Sequence, residues 1–493
     1  MKLLLLFFPF LARWCWTSLG RRLSRKKLPP LLVTDNFMRL RSATVHAIRR
    51  VRSREDIQAA VVYARERSLT VSLMGGGHCS DGQQFRDGTV LLDLRGLNRV
   101  LAVDEEAGVA TVEAGVTWEG LVEHLRARQS RWGIHLKQTL LNKATIGGSV
   151  AVNIHGRKIS SPPLIRYVRS LSLVDASGAL RVCSRERDHE LFRLVIGGYG
   201  AFGVVYSVEL ELRRVANLVR DPIQRVAIAD VVDIYLRKSE EGYLYGDFHS
   251  NGTGVEGWAW MTMYRETAKF REILPFVNTK MSRFLYAFGM YLLHRDPYLP
   301  WQLWKREMER RDFNTTDGCQ FTSIGEYYED IHDGVLGLPG RDMHLEFQVD
   351  PSCWRELIPE LREVVRPLRR DCVFCDLRFV KRDEESFLPY AVRDFFTLSP
   401  TFHLDEGNER QVRAAQERIY DLVVERYDGR FYLWDYFLGR PEHFQRAYPS
   451  FKQWLVKKRE YDPENRFSSQ WIEKVEGFFA APPRSGPPSS SRR

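Results

Sequence analysis

The feature that most constrains this chain is a pair of glycine-rich loops in its first half. The run Thr70–Leu73 is typical of a short β-strand, and it leads into the loop Gly75–His78, which holds three consecutive glycines. A second loop of small residues spans Thr145–Arg157. Successive glycines let backbone amides turn toward a phosphate without obstruction by a Cβ atom. Two such loops in one domain predict a clamp for an extended ligand that contains a pyrophosphate.

A third glycine-rich segment, Gly198–Gly203, matches the GxGxxG pattern of dinucleotide-binding folds. That pattern requires a strand before the glycines and a helix after them, so that the helix N-terminus meets the pyrophosphate. Here the segment Asp188–Gly197 is typical of a helix, and Gly203–Val215 alternates like a half-buried strand. The order is reversed, so a Rossmann fold is excluded, although these glycines can still bring the backbone close to a ligand.

The net charge of +10 belongs to the two ends of the chain. Residues 1–30 contain seven Lys or Arg residues and no acid, and residues 480–493 contain three Arg residues and no acid. The body between them is neutral, which argues against a nucleic-acid partner. The tail from 480 to 493 is rich in Pro, Ser and Arg, and we expect it to be disordered.

The N-terminal segment, residues 1–35, combines an apolar run with a basic one. Leu3–Ala12 is apolar throughout, but a bilayer-spanning helix needs about 20 such residues. The tryptophans Trp14 and Trp16 and the basic run after Gly20 suit a helix at a membrane surface. We therefore expect a membrane-associated protein whose remainder is cytoplasmic.

The cysteines indicate neither a disulfide framework nor a metal site. There are seven in the chain, and the pair Cys372 and Cys375 has the CxxC spacing without a second pair nearby. They lie in a segment typical of a β-strand, so we expect two half-buried strand cysteines and no metal.

Four motifs together carry a family resemblance. They are, in order, Val71–Phe85, Val109–Leu121, Ala144–Arg157 and Phe192–Leu212. In order and spacing they resemble the flavin domain of the FAD-linked oxidases of the vanillyl-alcohol oxidase and p-cresol methylhydroxylase superfamily. The resemblance extends over residues 36–216 and becomes weaker beyond them.

The resemblance implies an α+β fold. Residues 36–216 would form an FAD-binding domain of two subdomains of the vanillyl-alcohol oxidase type. Residues 217–440 would form an α+β substrate-binding cap over the flavin, and residues 441–479 would return to the FAD domain. Within the cap, we expect Met343–Val349 to form one strand and Asn408–Tyr427 one helix.

The same resemblance implies a set of FAD-binding residues. They are Gly75, Gly76, Gly77, His78, Cys79, Gln83, Thr145, Gly147, Gly148, Asn153, His155, Gly156, Gly203 and Val204. In family members with a GGH loop, the His is commonly bonded to the flavin 8α-methyl group, which would make His78 the attachment point. The alternative is a non-covalent contact. Members with two covalent links carry a Cys where this chain has Lys143, so a second link is not expected.

Two subgroups fit the second half of the chain about equally, namely the alditol and aldonolactone oxidases and the decaprenylphosphoryl-ribose oxidases. Glu346 resembles the acid of a Glu-aromatic-x-x-Pro strand, with Asp350 in place of the Pro. Arg378 and Lys381 lie in a segment like the acid-x-Arg strand of the sugar oxidases. Asp435 stands where the ribose oxidases have a Lys beside the flavin. The candidate catalytic residues are Glu346, Arg378, Lys381, Asp435 and His403.

Alcohol oxidation needs a base for the hydroxyl proton and a hydride acceptor, which flavin N5 provides. Glu346 and Asp435 can serve as the base, while Arg378, Lys381 and His403 can orient hydroxyl groups or balance charge. We therefore predict an FAD-dependent oxidase or dehydrogenase that acts on a CH–OH group of a sugar, polyol, aldonolactone or lipid-linked sugar. Its partners would be O2 or another electron acceptor and a membrane surface. The alternatives are a flavin-dependent carbon–carbon double-bond reductase, like the sterol side-chain reductases, and a non-catalytic membrane-associated scaffold.

Overall fold

The computed structural model describes most of the two expected domains. The described residues are 31–35, 38–136, 143–222, 224–250, 257–268, 341–368 and 372–480, with the stretches 7–12 and 314–316 and the single residues Cys15, Val255, Phe284 and Phe288. The tail from 481 onward, for which we predict disorder, and most of the N-terminal segment lie outside the described residues. Among the helices described, none is long and apolar enough to cross a membrane.

The first subdomain is a small parallel sheet with one crossover helix. Its elements are β1 (Leu32–Thr34), β2 (Ser42–Thr44), β3 (Ala47–Arg50), α1 (Arg54–Glu66), β4 (Val71–Met74) and β5 (Val90–Asp93). The parallel sheet has the order β3-β5-β4, and β1 pairs with β2 beside it. Helix α1 begins where the Ser53 side chain accepts a hydrogen bond from the Asp56 amide at 3.1 Å. Its apolar face, formed by Ile57, Ala60, Val61 and Ala64, is buried. Strand β4 leads into the first glycine loop.

The second subdomain is an antiparallel sheet covered by helices. Its elements are β6 (Val100–Asp104), β7 (Val109–Glu113), α2 (Trp118–Ala127), β8 (Trp132–Ile134), α3 (Ile146–Ala151), β9 (Val168–Val174), β10 (Leu180–Ser184), α4 (His189–Val195) and β11 (Val204–Arg214). The main path of the sheet is β10-β9-β11-β7-β6, and β8 pairs with β11. Because α4 precedes the third glycine segment and β11 follows it, the exclusion of a Rossmann fold is confirmed.

The cap domain is built on a large antiparallel sheet. Its strands are β12 (Asn217–Arg220), β13 (Gln224–Ala227), β14 (Tyr245–Ser250), β15 (Trp258–Glu266), β16 (Asn314–Thr316), β17 (Arg341–His344), β18 (Phe347–Val349), β19 (Cys372–Val380), β20 (Phe395–Leu404) and β21 (Arg430–Phe431). Helices α5 (Val231–Glu240) and α6 (Trp354–Val365) cover one face, where Tyr235 and Trp354 pack against Phe396. The mixed α+β architecture agrees with the predicted fold class.

One predicted strand is interrupted. Met343–Val349 forms β17 and β18, separated by Leu345 and Glu346, although both strands pair with β20 in one continuous register. Opposite the interruption lies Pro400, whose carbonyl accepts a hydrogen bond from the Leu345 amide at 3.1 Å. Because proline has no N–H, it cannot return a bond to the neighbouring strand. The ladder is therefore weakened at the position that carries Glu346.

The predicted helix over Asn408–Tyr427 is also modified. It consists of α7 (Glu409–Tyr420), which continues into a π-helical turn, Asp421–Arg426. Helices α8 (Pro441–Ala447), α9 (Phe451–Tyr461) and α10 (Gln470–Gly477) follow. The segment between α9 and α10 pairs with the first subdomain, because Val71 donates a backbone hydrogen bond to Arg466 at 2.7 Å and Phe467 joins the apolar cluster there. The end of the described chain is thus packed against the strand that carries the first glycine loop.

Candidate active site between the two domains

The two glycine loops meet edge to edge. A Cβ atom at Gly75 would lie 2.3 Å from the Thr145 hydroxyl, and one at Gly76 would lie 2.3 Å from the Lys143 carbonyl oxygen. Both distances are too short for a real Cβ atom, so only glycine lets these loops approach. Gly77 has a φ of +78°, which also favours glycine. The predicted clamp therefore has a physical basis in the contact between the loops.

His78 and Cys79 continue the first loop. The imidazole Nδ1 of His78 lies over Gly76, 2.8 Å from the position of a Cβ atom there. Burial raises the pKa of the Cys79 thiol to about 12, and the charge of Asp35 adds to the rise. A thiol in this state is a poor nucleophile because the thiolate is the reactive form. Of these two neighbours, His78 is therefore the better candidate for a bond to a ligand.

The predicted FAD-binding residue Gln83 has a structural role in the folded chain. Its side chain donates to the carbonyl oxygens of Leu433 and Trp434 at 2.8 and 3.1 Å, and it accepts from the Asp81 amide at 2.9 Å. The Ser80 amide also donates to the Trp434 carbonyl, at 3.1 Å. These bonds join the first glycine loop to the segment that carries Asp435, and the separation in sequence conceals that contact.

The second glycine loop opens helix α3. The Thr145 hydroxyl accepts a hydrogen bond from the Gly148 amide at 3.2 Å. Gly147 packs on Ala114, where a Cβ atom would lie 2.6 Å from that alanine's methyl group. Gly156 is buried beyond the helix. Thr145, Gly147 and Gly148 thus shape the loop, and their small size lets it lie against the neighbouring strand β7.

Asn153 links the FAD domain to the cap by hydrogen bonds. Its side-chain amide donates to Asp383 at 2.8 Å and accepts from the Ile165 amide at 2.9 Å. The hydroxyl groups of two cap-domain tyrosines reinforce this contact, since Tyr390 donates to the Asn153 carbonyl at 3.2 Å and Tyr432 to the Val152 carbonyl at 3.0 Å. The end of the second glycine loop is therefore held rigidly under the cap.

Gly203 and Val204 pack against the strands of the FAD domain. A Cβ atom at Gly203, whose φ is +144°, would lie 2.6 Å from the Leu173 side chain. Val204 is fully buried and belongs to the apolar cluster of the first subdomain. Both residues pack the two sheets of the FAD domain together, while the neighbouring Tyr199 donates a backbone hydrogen bond to the end of α3, at Ala151.

The centre of the candidate active site is a buried pair formed by His155 and Glu346. His155 Nε2 lies 2.9 and 3.1 Å from the two carboxylate oxygens of Glu346, and these residues are 4% and 5% exposed. Gln348 donates to the same carboxylate at 3.1 Å, and the Ser399 hydroxyl donates at 3.4 Å. Within the described chain, the other ring nitrogen, His155 Nδ1, is buried and has no hydrogen-bond partner.

The environment of Glu346 favours its ionised form. Burial by itself would raise the pKa of the carboxyl group. The charge of His155 and its hydrogen bond oppose that effect, together with the charge of Arg378 and the hydrogen bond from Gln348. The net result lowers the Glu346 pKa to about 2.

Asp435 has the opposite environment. It is 4% exposed, and neither carboxylate oxygen has a hydrogen-bond partner of normal geometry within the described residues. Burial raises its pKa well above the usual value, and the nearby charge of Glu346 raises it further, against a partial lowering by the Glu346 backbone amide. The pKa values of two neighbouring acids are thus shifted in opposite directions, as in sites where one acid serves as the proton donor and another as the anion.

One face of the cap sheet supplies further polar groups. Arg378 Nη2 lies 3.3 Å from Asp376, and His344 Nδ1 lies 2.9 Å from the Thr401 hydroxyl. Burial lowers the pKa of His344 to about 4, so its imidazole is neutral at physiological pH. Sequence reasoning missed several members of this face, namely His344, Gln348, Ser399 and Thr401. The alternation of polar residues in β20, from Thr397 to His403, was the signal that could have identified part of it.

Two predicted catalytic residues lie apart from this centre. Lys381 is 42% exposed and donates a hydrogen bond to Asp394 at 2.6 Å. His403 is near the far end of β20, opposite Asp342 of β17. Neither is brought to the His155–Glu346 pair, whereas Arg378 and Asp435 lie close enough to Glu346 to interact with it electrostatically.

Comparison with known proteins places the chain in a family. Residues 45–184 match the family described as "FAD binding domain", and residues 341–475 match the family described as "D-arabinono-1,4-lactone oxidase". The chain is 23% identical to L-gulonolactone oxidase of Bos taurus over 439 residues, which cover 85% of this chain and 93% of that protein.

Shorter matches have higher identity. An uncharacterized oxidoreductase from the fasciation locus of Rhodococcoides fascians is 34% identical over 34% of this chain and 37% of its own length. The mitochondrial L-galactono-1,4-lactone dehydrogenase of Arabidopsis thaliana is 34% identical over 32% of this chain and 25% of its own length.

Among solved structures, Physcomitrella patens BBE-like 1 has a TM-score of 0.57 at 14% identity and covers 87% of this chain and 91% of its own. The Bermuda grass isoallergen BG60 has a TM-score of 0.59 at 16% identity with the same coverage. These similarities support the fold. The fold and the family matches define an FAD-dependent oxidoreductase. The chain belongs to the FAD-linked oxidases of the vanillyl-alcohol oxidase and p-cresol methylhydroxylase superfamily.

The residues of this site fit a bound FAD. The two glycine loops form a cradle that admits no Cβ atom at Gly75 or Gly76. Next to it, His155 Nδ1 and both carboxylate oxygens of Asp435 are buried without protein partners in the described part of the chain. Buried polar atoms of this kind call for a ligand or ordered water.

Proposed function

We propose that this protein oxidises a CH–OH group of a sugar lactone or a closely related sugar or polyol, in the cleft between the FAD domain and the cap. The observation that carries the proposal is the buried His155–Glu346 pair, 2.9 Å apart, beneath the polar face of the cap sheet and beside the glycine loops. The L-gulonolactone oxidase and L-galactono-1,4-lactone dehydrogenase relatives supply the substrate class.

The two residues of the pair have different roles in removing the substrate proton. With a pKa of about 2, Glu346 is a weak base at neutral pH. Its role is to orient the His155 ring through Nε2 and to stabilise positive charge on that ring. His155 Nδ1, buried and without a protein partner in the described part of the chain, then removes the substrate hydroxyl proton. When bound, FAD supplies the hydride acceptor at N5.

The polar cap face would hold the other hydroxyl groups of the substrate. Arg378 can donate to a lactone or hydroxyl oxygen, while the Thr401 hydroxyl and Ser399 can each donate or accept. Ser399 and Thr401 are each 2% exposed, so water would compete weakly with a bound sugar. This lining suits a hydroxylated ligand better than the apolar olefin that a double-bond reductase would take.

The test uses purified protein with its flavin. Anaerobic addition of L-gulono-, L-galactono- or D-arabinono-1,4-lactone should bleach the oxidised flavin spectrum, and air should restore it with production of hydrogen peroxide if O2 is the acceptor. His155→Gln should lose bleaching by the lactone and keep bleaching by dithionite. If NADPH bleaches the flavin and all lactones and polyols fail, the protein is a reductase and the proposal is wrong.

We also propose that His78 is bonded to the flavin 8α-methyl group. Its position over Gly76 and the high pKa of the Cys79 thiol support this assignment. Acid-precipitated protein should stay yellow, and the colour should wash out of the His78→Ala pellet but remain in Cys79→Ala. Release of all FAD from the unaltered protein on acid precipitation would show a non-covalent contact.

The same proposal includes attachment to a membrane surface through the N-terminus. Phe7 and Phe10 pack on Phe288, with ring centroids 5.3 and 5.0 Å apart, while Phe8 is 64% exposed. Deletion of residues 1–30 should release the protein from membranes with its flavin content intact. Phe8→Ser should weaken binding to anionic vesicles because it removes the exposed ring and keeps the packed ones. Full-length protein in the soluble fraction at physiological salt would contradict attachment.

A further inference from the structure

We propose that Asp435 faces the flavin ring as a neutral carboxylic acid and donates a hydrogen bond to it. The geometry places this residue between the cofactor loop and the substrate pair. On one side, the Trp434 carbonyl accepts from the Ser80 amide of the first glycine loop at 3.1 Å. On the other side lies Glu346, whose backbone amide and charge both act on Asp435.

The surroundings of Asp435 explain why it is neutral. Four titratable groups interact electrostatically with Asp435, and each comes from a different segment. They are Cys79 of the glycine loop, Tyr199, Tyr420 of α7 and Tyr448. The fifth group is Glu346, and it is an anion. A second negative charge in this buried space would be repelled by Glu346 and poorly solvated. The proton on Asp435 removes that charge and provides an O–H donor.

The two unpartnered oxygens explain why the donor points toward a ligand. A buried carboxyl group normally satisfies its oxygens with protein donors or with water. Asp435 is 4% exposed, and within the described residues neither of its carboxylate oxygens has a protein donor of normal geometry, although its own backbone amide donates to the Tyr432 carbonyl at 3.3 Å. The two oxygens are therefore available to a bound molecule.

Asp435 would affect how well the site stabilises negative charge on the flavin ring. The sequence resemblance places a lysine at this position in the ribose oxidases, and a lysine would stabilise negative charge on the flavin ring with a full positive charge. A neutral acid supplies only a dipole. We therefore expect the flavin of this protein to bind sulfite weakly, because the sulfite lone pair forms a bond to N5 and leaves negative charge on the ring. The inference depends on FAD and not on the identity of the substrate.

The first experiment observes the proton. Infrared difference spectra of the flavoprotein at pH 7, reduced minus oxidised, should contain a carbonyl band of a protonated carboxylic acid that shifts on reduction. The band should be absent from Asp435→Asn and present in Asp428→Asn. Asp428 is a matched control because it is an exposed aspartate. Its backbone is left-handed, a conformation that asparagine also tolerates. A band that persists in Asp435→Asn would overturn the proposal.

The second experiment measures sulfite affinity from the bleaching of the flavin spectrum. Asp435→Lys should bind sulfite tighter by about tenfold or more, a change of about 1.4 kcal/mol. Asp435→Asn should stay within about threefold of the unaltered protein, because it exchanges one neutral hydrogen-bonding group for another. Equal sulfite affinity in all three proteins would place Asp435 away from the flavin. Tighter binding in Asp435→Asn alone would show that Asp435 is an anion beside the ring. Either result would overturn the proposal. If Asp435→Lys fails to hold flavin, the infrared comparison still decides.

Discussion

Replacing Glu346 with Gln tests the energetic basis of the candidate active site. The substitution keeps the shape of the side chain and removes the charge that faces His155. The folded environment lowers the Glu346 pKa from 4.5 to about 2. A shift of this size corresponds to about 3 kcal/mol of stabilisation by the ionised form, at about 1.4 kcal/mol per pKa unit. Because Glu346 is only 5% exposed, little solvent screening reduces that figure.

The pH dependence follows from the sign of the shift. The folded-state pKa lies below the unfolded-state pKa, so the stabilisation is fully present above about pH 4.5 and is lost as the pH falls toward about 2. At pH 7 we expect Glu346→Gln to lower the free energy of unfolding by about 3 kcal/mol. The difference between the two proteins should shrink steadily below pH 4.5.

The assay is urea denaturation at several pH values, followed by flavin and tryptophan fluorescence and fitted with a common slope. Glu384→Gln is the matched control, because Glu384 is 73% exposed in its pair with Arg382. It should change stability by less than about 0.5 kcal/mol at every pH. A loss below about 1 kcal/mol for Glu346→Gln, or a loss that does not change with pH, would refute the reasoning about this pair.

Three further predictions concern the surrounding residues. Gly76→Ala should lower FAD content and destabilise the protein by about 1–3 kcal/mol, because the added methyl group would lie 2.3 Å from the Lys143 carbonyl oxygen. Gly477→Ala is the control, because a Cβ atom there would meet no neighbouring atom within 4 Å. Equal thermal stability of the two variants would contradict the loop contact. Tyr432→Phe should cost about 1–2 kcal/mol in denaturant titrations, since the Val152 carbonyl loses a buried hydrogen bond, and a neutral result would show that water replaces it. Lys381→Ala should leave the rate of flavin reduction unchanged and alter stability by less than about 1 kcal/mol, because its ion pair with Asp394 is exposed; a large fall in that rate would return Lys381 to the catalytic set.

Comparing particular residues shows how far sequence reasoning extended. Helix α1 and strands β4 and β11 follow from local rules, namely a capping serine, a 3.6-residue apolar period and alternation along a strand. Those rules failed between β17 and β18, where the interruption depends on Pro400 of a strand more than 50 positions away. A partner strand is not visible in the local pattern, so the position of Glu346 at an interruption was unforeseen.

The same distinction applies to the candidate site. The amino-acid sequence by itself determined the two glycine loops, the absence of a Rossmann arrangement and the FAD-binding class, because these depend on contiguous residues whose backbone freedom is local. Only the tertiary structure decided that His155 meets Glu346 across 191 positions, that Asn153 and Gln83 join distant segments by hydrogen bonds, and that Lys381 pairs with Asp394. It also decided that the surroundings lower the pKa of Glu346 and raise that of Asp435. The ionisation of a carboxyl group depends on its loss of water and on the charges and donors around it, and folding alone assembles those.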